Sequence, residues 1–421
     1  MKTNKQSRQG TVSVIVAICL TALIGIAAFA LDGGLIQHNR RTTQAAADAA
    51  ALAAANDLYV NFPTYSGLDG PGTALAKAKA IAAANGFDND GITNKVTVNI
   101  PPITGLHAGL VGHAEVNIEF YQERAFSAVW GSGKILVASR AVAVGKWSPF
   151  RNGILVLDPS SPAALNTNGN GVMTVTNADI IVNSNAVDGA VATGGGSLNA
   201  PKFFLTGNPG YSTSGSGTFN GSIYNSQPPT PDPLAYLDPP NPSTLTTRSN
   251  NPTNLAGNRT VYLSPGVYRG GIHVSGQVNV VMLPGIYYMD EGGFSFTGQG
   301  SLNAVGVMVY TNPRSTSDVI NVNGLGTINW WPMQTGPYRG IGLWQERSST
   351  NTITLTGNGT SQIYGTLYAK KGMLTVSGNG TQDILGSQYI SNKVNLGGNG
   401  NFNINWIADQ TARARLIRLV E

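Results

Sequence analysis

The side chains whose types suit acid–base chemistry in the C-terminal half of this 421-residue chain are the acids Asp290, Glu291, Glu346 and Asp383 and the bases Arg339, Arg347, Lys370 and Lys371. Glycoside hydrolysis usually needs two facing carboxylates about 5–9.5 Å apart. Asp290 and Glu291 are adjacent, and strand neighbours point to opposite faces, so the pair reads as a solvated turn. Trp330, Trp331 and Trp344 with Tyr338 form an aromatic concentration. Such rings can stack on a sugar, and they equally fill cores and interfaces; packing is the preferred reading. Of the four histidines, His38 stands alone, His107 and His113 are six apart and His273 is isolated, which gives neither a metal-ligand cluster nor a nucleophilic triad. The expectation is a non-catalytic protein with no catalytic, cofactor or metal residues. The alternative is a carbohydrate-active enzyme, a polysaccharide lyase or hydrolase, using one of the four acids.

The elements that carry these residues are short alternating segments ending in glycine-asparagine turns. Gly357-Asn358-Gly359, Gly378-Asn379-Gly380 and Gly398-Asn399-Gly400 recur at nearly constant spacing, with echoes at Gly276-Gln277, Gly298-Gln299 and Gly169-Asn170. A second pair, Leu263-Ser264-Pro265-Gly266 and Met282-Leu283-Pro284-Gly285, keeps a similar offset. A period near about 20 residues predicts a parallel β-helix, because one coil cannot bury its apolar face alone while stacked coils share a core. A sandwich or barrel competes; the common phase of the turns favours the solenoid. The proline-rich stretch 226–256 excludes ladder pairing and is expected to leave the solenoid as a flanking excursion. The end of the chain, 409–421, is expected to cap the last coil.

At the other end Thr11 to Leu31 is an uncharged, proline-free run of 21 residues, about 30 Å as a helix and long enough to span a bilayer. Lys2, Lys5 and Arg8 precede it and Asp32 follows, which puts the N-terminus in the cytoplasm and the body in the periplasm or outside; Arg40 and Arg41 pull weakly the other way. Ala28-Phe29-Ala30 offers a signal-peptidase alternative, but the run exceeds an ordinary signal core and favours a retained anchor. The alanine-rich stretch that follows predicts a helical stalk over 35–59, whose small side chains suit close helix contact with a partner or with its own chain. The single cysteine, Cys19, lies in the span, so the body folds without a disulfide. The net charge of +5 resides in the two ends, leaving zero for 42–408, so nucleic acid is not a partner.

Thr73 to Ala84 predicts a second helix closed by Asn85-Gly86. Lys95–Ile100, Ala114–Phe120 and Ile135–Val144 then predict strands, with a short helix over Arg124–Trp130. The text from Arg8 through Ala55, with Gly10 before the span, Leu31-Asp32-Gly33-Gly34 at its end and Gln44-Ala45-Ala46-Ala47-Asp48-Ala49-Ala50-Ala51-Leu52-Ala53 in the stalk, resembles the N-terminal domain of Flp pilus-assembly TadG-like (TadE/G-like) membrane proteins. Arg8-Gln9-Gly10 is also similar to a prepilin start, but Ile15 stands where such subunits usually carry glutamate. The resemblance implies a bacterial inner-membrane protein whose partners are Tad/Flp assembly components, reached through the stalk. Many relatives carry a von Willebrand A-type domain with an Asp-x-Ser-x-Ser metal site. Here Asp158-Pro159-Ser160-Ser161-Pro162 places proline at the second serine, so Asp158 reads as a turn residue and the metal site is rejected.

The expected fold is an N-terminal transmembrane helix with an α-helical stalk (1–60), a small α/β unit (61–146), a mainly β parallel β-helix (147–408) and a C-terminal cap (409–421). Its expected role is that of a membrane-anchored envelope protein, either accessory to Tad/Flp-type pilus assembly or adhesion-like with a possible surface glycan as ligand.

Overall fold

The computed structural model describes residues 9–421 apart from Trp130, Gly324, 358–360 and 381–382. The expected topology signal at Lys2, Lys5 and Arg8 and the Asn358-Gly359 turn therefore lie outside the described residues. Two compact units are present: the N-terminal part through Trp147 joined by Arg415–Glu421, and Ser148–Ala414.

In the first unit, helix α1 (Gln9–Val60) is unbroken over 52 residues, so span and stalk are one element. A single turn, α2 (Phe62–Tyr65), leads to α3 (Thr73–Ala84), which has the predicted bounds. Strands β1 (Asn94–Asn99), β2 (His113–Gln122) and β3 (Ile135–Pro149) form an antiparallel sheet. The expected helix over 124–130 is one 3-10 turn, Ser127–Val129, with Trp130 outside the described residues. Alanine brings these layers close. Ala47, Ala50, Ala51, Ala54 and Ala55 of α1 are 0% exposed, packed with Ala74, Ala78 and Ala82 of α3 and Val116 and Ile118 of β2. At Gly145 a Cβ would lie 1.6 Å from the Ala55 carbonyl oxygen, so only glycine lets β3 touch the helix backbone.

The second unit is a parallel β-solenoid of about 11 turns over residues 154–403. Typical coils run Ile272–Val274, Asn279–Met282, Gly285–Asp290, then Phe294–Phe296, Leu302–Val305, Val307–Asn312, each strand parallel to its counterpart in the next coil. Alternate side chains such as Ile272, Val280, Phe294, Phe296 and Leu302 enter a continuous core, as period-two patterning requires. Strands of the third face, such as Val307–Asn312 and Ile341–Gln345, are buried almost throughout instead of alternating. Their outer side chains, Tyr288, Tyr310, Trp344 and Tyr368, pack with Leu234 and Leu237 of the proline-rich segment.

Coil order in space is not coil order in sequence. Tyr389 pairs with Ile154, Val394 with Leu165 and Phe402 with Met173, so the coil ending the solenoid in sequence stacks on the coil that begins it. The chain enters mid-stack, climbs to Thr218–Tyr224, and restarts at the far end with Thr247–Ser249, Thr253–Leu255 and Thr260–Leu263. The proline-rich segment is the return strap between the two ends. About 20 residues in extended proline-type conformation reach about 60 Å, enough to pass ten or so spacings of about 4.8 Å. The strap stops before Thr247, short of the expected 256.

The expected C-terminal cap is corrected. Arg413–Leu419 is a strand of the first unit's sheet, in the order β1, β2, β3, Arg413–Leu419; Val420 N donates to Val142 O and Val142 N to Glu421 O at 2.8 and 2.9 Å. Hydrogen bonding to an open sheet edge outweighs the cover over the last coil that the sequence suggested.

Candidate functional site

Two regions carry functional potential, one in each unit. In the first, the outer surface of α1 from Val12 to Leu31 consists of exposed apolar side chains, with Ile18 66% and Phe29 84% exposed. One helix in the described chain is long and apolar enough to cross a membrane. Directly after the span the buried Asp32 carboxylate accepts hydrogen bonds from the backbone of Phe126 (3.1 Å) and Ser127 (2.7 Å). The same helix is then fixed to its own sheet by Asn39 Nδ2 donating to Gln122 Oε1 at 2.9 Å, by Thr43 Oγ1 and Ser139 Oγ at 2.6 Å, and by Gln44 Nε2 donating to Arg140 O at 3.0 Å.

Glu115 and Arg140 tie the two central strands, β2 and β3, to the loop after β1. Glu115 is 0% exposed and accepts from Arg140 Nε at 2.6 Å, Asn99 Nδ2 at 2.9 Å, Ile103 N at 3.1 Å and the Thr104 hydroxyl. Burial would raise its pKa, but the hydrogen bonds from Thr104, Arg140 and Asn99 outweigh it and hold the carboxyl at about 2. Arg140 also pairs with Glu421, tying the chain terminus to the sheet. Sequence reasoning took Asp32 only as a charge flanking the span and did not single out Glu115. Asp32 had a signal in the Leu31-Asp32-Gly33-Gly34 run; Glu115 is a buried acid within an otherwise alternating strand.

The alanine face of the 35–59 stalk, suited by sequence to a helix of a partner or of its own chain, is filled by the chain's own α3 and sheet. Ala47 and Ala51 are sealed. Most exposed side chains of α1 in this stretch, among them Leu35, His38, Arg40, Arg41 and Thr42, lie before the packed portion, and Asn56 is exposed within it.

In the second unit each of the four sequence-derived acids is engaged by a neighbouring group. Asp290, at a strand end, and Glu291, in the following turn with φ +72°, both pair with Arg314, at 3.0 and 2.7 Å. Glu346 accepts the Tyr310 hydroxyl. Asp383 is buried in the solenoid wall and accepts from Ser361 N at 2.8 Å. Among the bases, Arg339 pairs with Asp409 at 3.1 Å. Arg347 donates to the Leu234 carbonyl at 2.8 Å, to that of Leu237 and to Tyr368 Oη at 3.0 Å, beneath the strap. Trp330 and Trp344 are 0% exposed. Trp330 lies in the coil core and Trp344 under the strap beside Tyr338, so neither offers a face to a sugar; Trp331 is half-buried against Tyr364.

His107 and His113 stack at 5.1 Å, and His113 is held below the usual histidine range, chiefly by burial. His273 bonds Ser295 and the Gly270 carbonyl, and His38 is exposed on α1. No group of three or more metal-type side chains occurs among the described residues. Asp158 accepts from Ser160 N, Ser161 N and Ser161 Oγ at 2.7–3.0 Å, the local turn expected of it.

Sequence reasoning missed a cleft of about 560 Å³ between strap and coil flank, lined by Pro159, Pro229, Pro231, Asp232, Lys370 and Lys371. Asp232 accepts the Tyr368 hydroxyl at 2.7 Å. The lysines had been considered only as bases beside an acid; the strap that forms the other wall has no local signal for where it docks.

Residues 10–57 match the Flp pilus-assembly TadE/G-like family. The matched segment is the span and the packed stalk, the portion that carries the resemblance in the sequence. No curated protein and no solved structure matches the chain.

Proposed function

We propose that this protein is a non-catalytic, single-pass envelope protein accessory to a Tad/Flp-type pilus-assembly system, with its N-terminus in the cytoplasm and both folded units on the outer side. The observation that carries this reading is the continuity of α1. Its lipid-suited surface from Val12 to Leu31 passes without a break into a face buried in the chain's own domain, over the same residues that match the family. A rigid connection of this kind transmits force or position between the membrane and the first unit, which a flexible linker does not. The partner-binding surface is the exposed side of α1 over 12–42, through small-residue packing and van der Waals contact within lipid. Engagement of Asp290 and Glu291 by Arg314, of Glu346 by Tyr310 and of Asp383 by the Ser361 amide supports the non-catalytic reading. A surface glycan, if bound, is an acidic one at Lys370 and Lys371. A photo-crosslinking residue at Ile26 in native membranes tests the role: capture of pilus-assembly proteins supports it, and adducts with lipid alone overturn it. Protease added to permeabilised cells should digest the units after residue 35, and protection would reverse the topology. Turnover of acidic glycans lost on changing one of the four acids would establish the enzyme reading instead.

A further inference from the structure

A column of turn glycines runs along the solenoid, each carbonyl accepting from a backbone N–H one or two residues past the turn glycine of the next coil. Gln277 N donates to Gly257 O, Gln299 N to Gly276 O, Asn379 N to Gly357 O, Gly400 N to Gly378 O, Gly195 N to Gly169 O and Ser216 N to Gly194 O. The column crosses the junction between residues 388–405 and 152–176, which are not consecutive in the chain, in the same register: Asn170 N and Gly171 N donate to Gly398 O, and Val172 N to Gly400 O. Asn166 Nδ2 adds a side-chain rung to Asn395 Oδ1 at 2.9 Å. Two coils from separate stretches of chain thus stack here as consecutive coils do.

Both ends of the column are open among the described residues. The outer side of Thr218–Tyr224 pairs with no strand, nor does that of Thr260–Leu263. By the rung pattern, the carbonyls of Gly215 and Gly217 are the next acceptors at one end, and the N–H groups of Asn258 and Thr260 are the next donors at the other. The apolar side chains that end the core, Tyr211, Phe219 and Ile223 at one end and Val261 at the other, are only half-buried. Tyr262 is 69% exposed.

We propose that the solenoid stacks head-to-tail on a second copy of this chain, the 257–263 end of one on the 215–224 end of the next. The occupant follows from register. The first strand residue stands three positions after the turn glycine at both ends, as in the internal pairs Gly276–Asn279 and Gly194–Ser197. A second copy therefore sets Thr260 opposite Thr218, Val261 opposite Phe219 and Tyr262 opposite Asn220. Donors meet acceptors, and the core column continues from Phe219 to Val261. The two surfaces are different, so the contact is heterologous and propagates as an open filament instead of closing a dimer.

The test uses the full chain, with Cys19→Ser, in detergent and in native membranes, treated with a short bismaleimide. Asn220→Cys with Tyr262→Cys should give a ladder of covalent oligomers. A mixture of the two single variants should give dimers, and each single variant alone should give none. Monomer alone from the double variant in both settings overturns the proposal; so does a single variant that cross-links to itself as well as the mixture does. Adding Thr260→Pro removes an N–H that faces away from the chain's own ladder, so it should reduce the ladder at least tenfold with strand circular dichroism unchanged. Phe219→Lys should act alike from the opposite end. A ladder unaffected by both variants overturns the proposal.

Discussion

Tyr389 and Ile154 are neighbours in one parallel ladder although most of the solenoid sequence lies between them. The stack is therefore closed by contacts between its sequence ends, and the turn at Gly169 must fit against Gly398. Gly169 and Gly257 share φ +93°, but a Cβ on Gly169 would lie 2.4 Å from the Gly398 oxygen while one on Gly257 meets nothing within 4 Å. In dilute monomeric protein Gly257→Ala should cost only the left-handed backbone penalty of about 1–2 kcal/mol. Gly169→Ala should cost about 1–3 kcal/mol more, from overpacking. Urea unfolding of the solenoid, followed by tryptophan fluorescence, reads the difference; equal costs would contradict the junction.

Arg347 is the clamp of the strap. Its guanidinium lies 5.1 Å from the Trp344 ring centroid while donating to two strap carbonyls. Arg347→Leu removes charge-assisted bonds worth about 1.5–3 kcal/mol each and leaves the Leu234 and Leu237 carbonyls without this donor. Cleavage within 226–246 by a broad-specificity protease should accelerate at least tenfold with the coils left intact. Arg347→Lys should rescue poorly, because an ammonium lacks the planar fork that reaches several acceptors. An unchanged cleavage rate would show that the apolar contacts of Leu234 and Leu237, with the hydrogen bonds of Asp232 and Thr230, hold the strap without Arg347.

The solenoid itself was legible because every coil repeats the same demands: alternation for the core, and glycine where a turn sits against the turn below. That sameness hid the coil order. Gly169 and Gly398 lie in near-identical turns, so no local pattern says that they are neighbours. The one hint was the length of the proline-rich segment, far more than a turn between adjacent coils requires. Arg413–Leu419 was misread because its pairing partner, β3, lies hundreds of residues earlier; the alternation of Arg413 and Arg415 with small and apolar neighbours was visible but short. In the stalk, composition gave the helix and its close packing, while the choice between a foreign helix and the chain's own α3 depended on the sheet that folds behind it. The tryptophans were legible as packing residues, but not which of them face the core and which the strap.

The Glu115 carboxyl makes the first unit acid-sensitive. Its folded pKa of about 2 lies below the ordinary 4.5, so its stabilisation is complete above about pH 5 and is lost as pH falls toward 2. The shift corresponds to roughly 3 kcal/mol at neutral pH. Thermal unfolding of the first unit should show a midpoint that drops across this window. Glu115→Gln should flatten the drop and lower stability at pH 7, because the buried Arg140 contact loses its charge. A midpoint that falls equally in both proteins would assign acid sensitivity to other carboxylates.

The packed stalk predicts an asymmetry between two alanines of α1. Ala51 is 0% exposed, whereas Ala45 faces out. Ala51→Leu inserts three carbons between α1, α3 and the sheet and should destabilise the purified chain by about 1–3 kcal/mol, while Ala45→Leu should stay within about 0.5 kcal/mol. Chemical unfolding of the detergent-solubilised protein measures both, without any partner present. Because Ala51 acts within its own unit, its effect must appear in the isolated chain; an effect confined to capture of assembly proteins in membranes, with normal stability of the purified Ala51→Leu protein, would return the alanine face to a foreign helix. Replacement of Phe29 by alanine is the converse case. Its side chain is 84% exposed in the span, so stability of the folded units should hold while partner capture from the Ile26 probe falls.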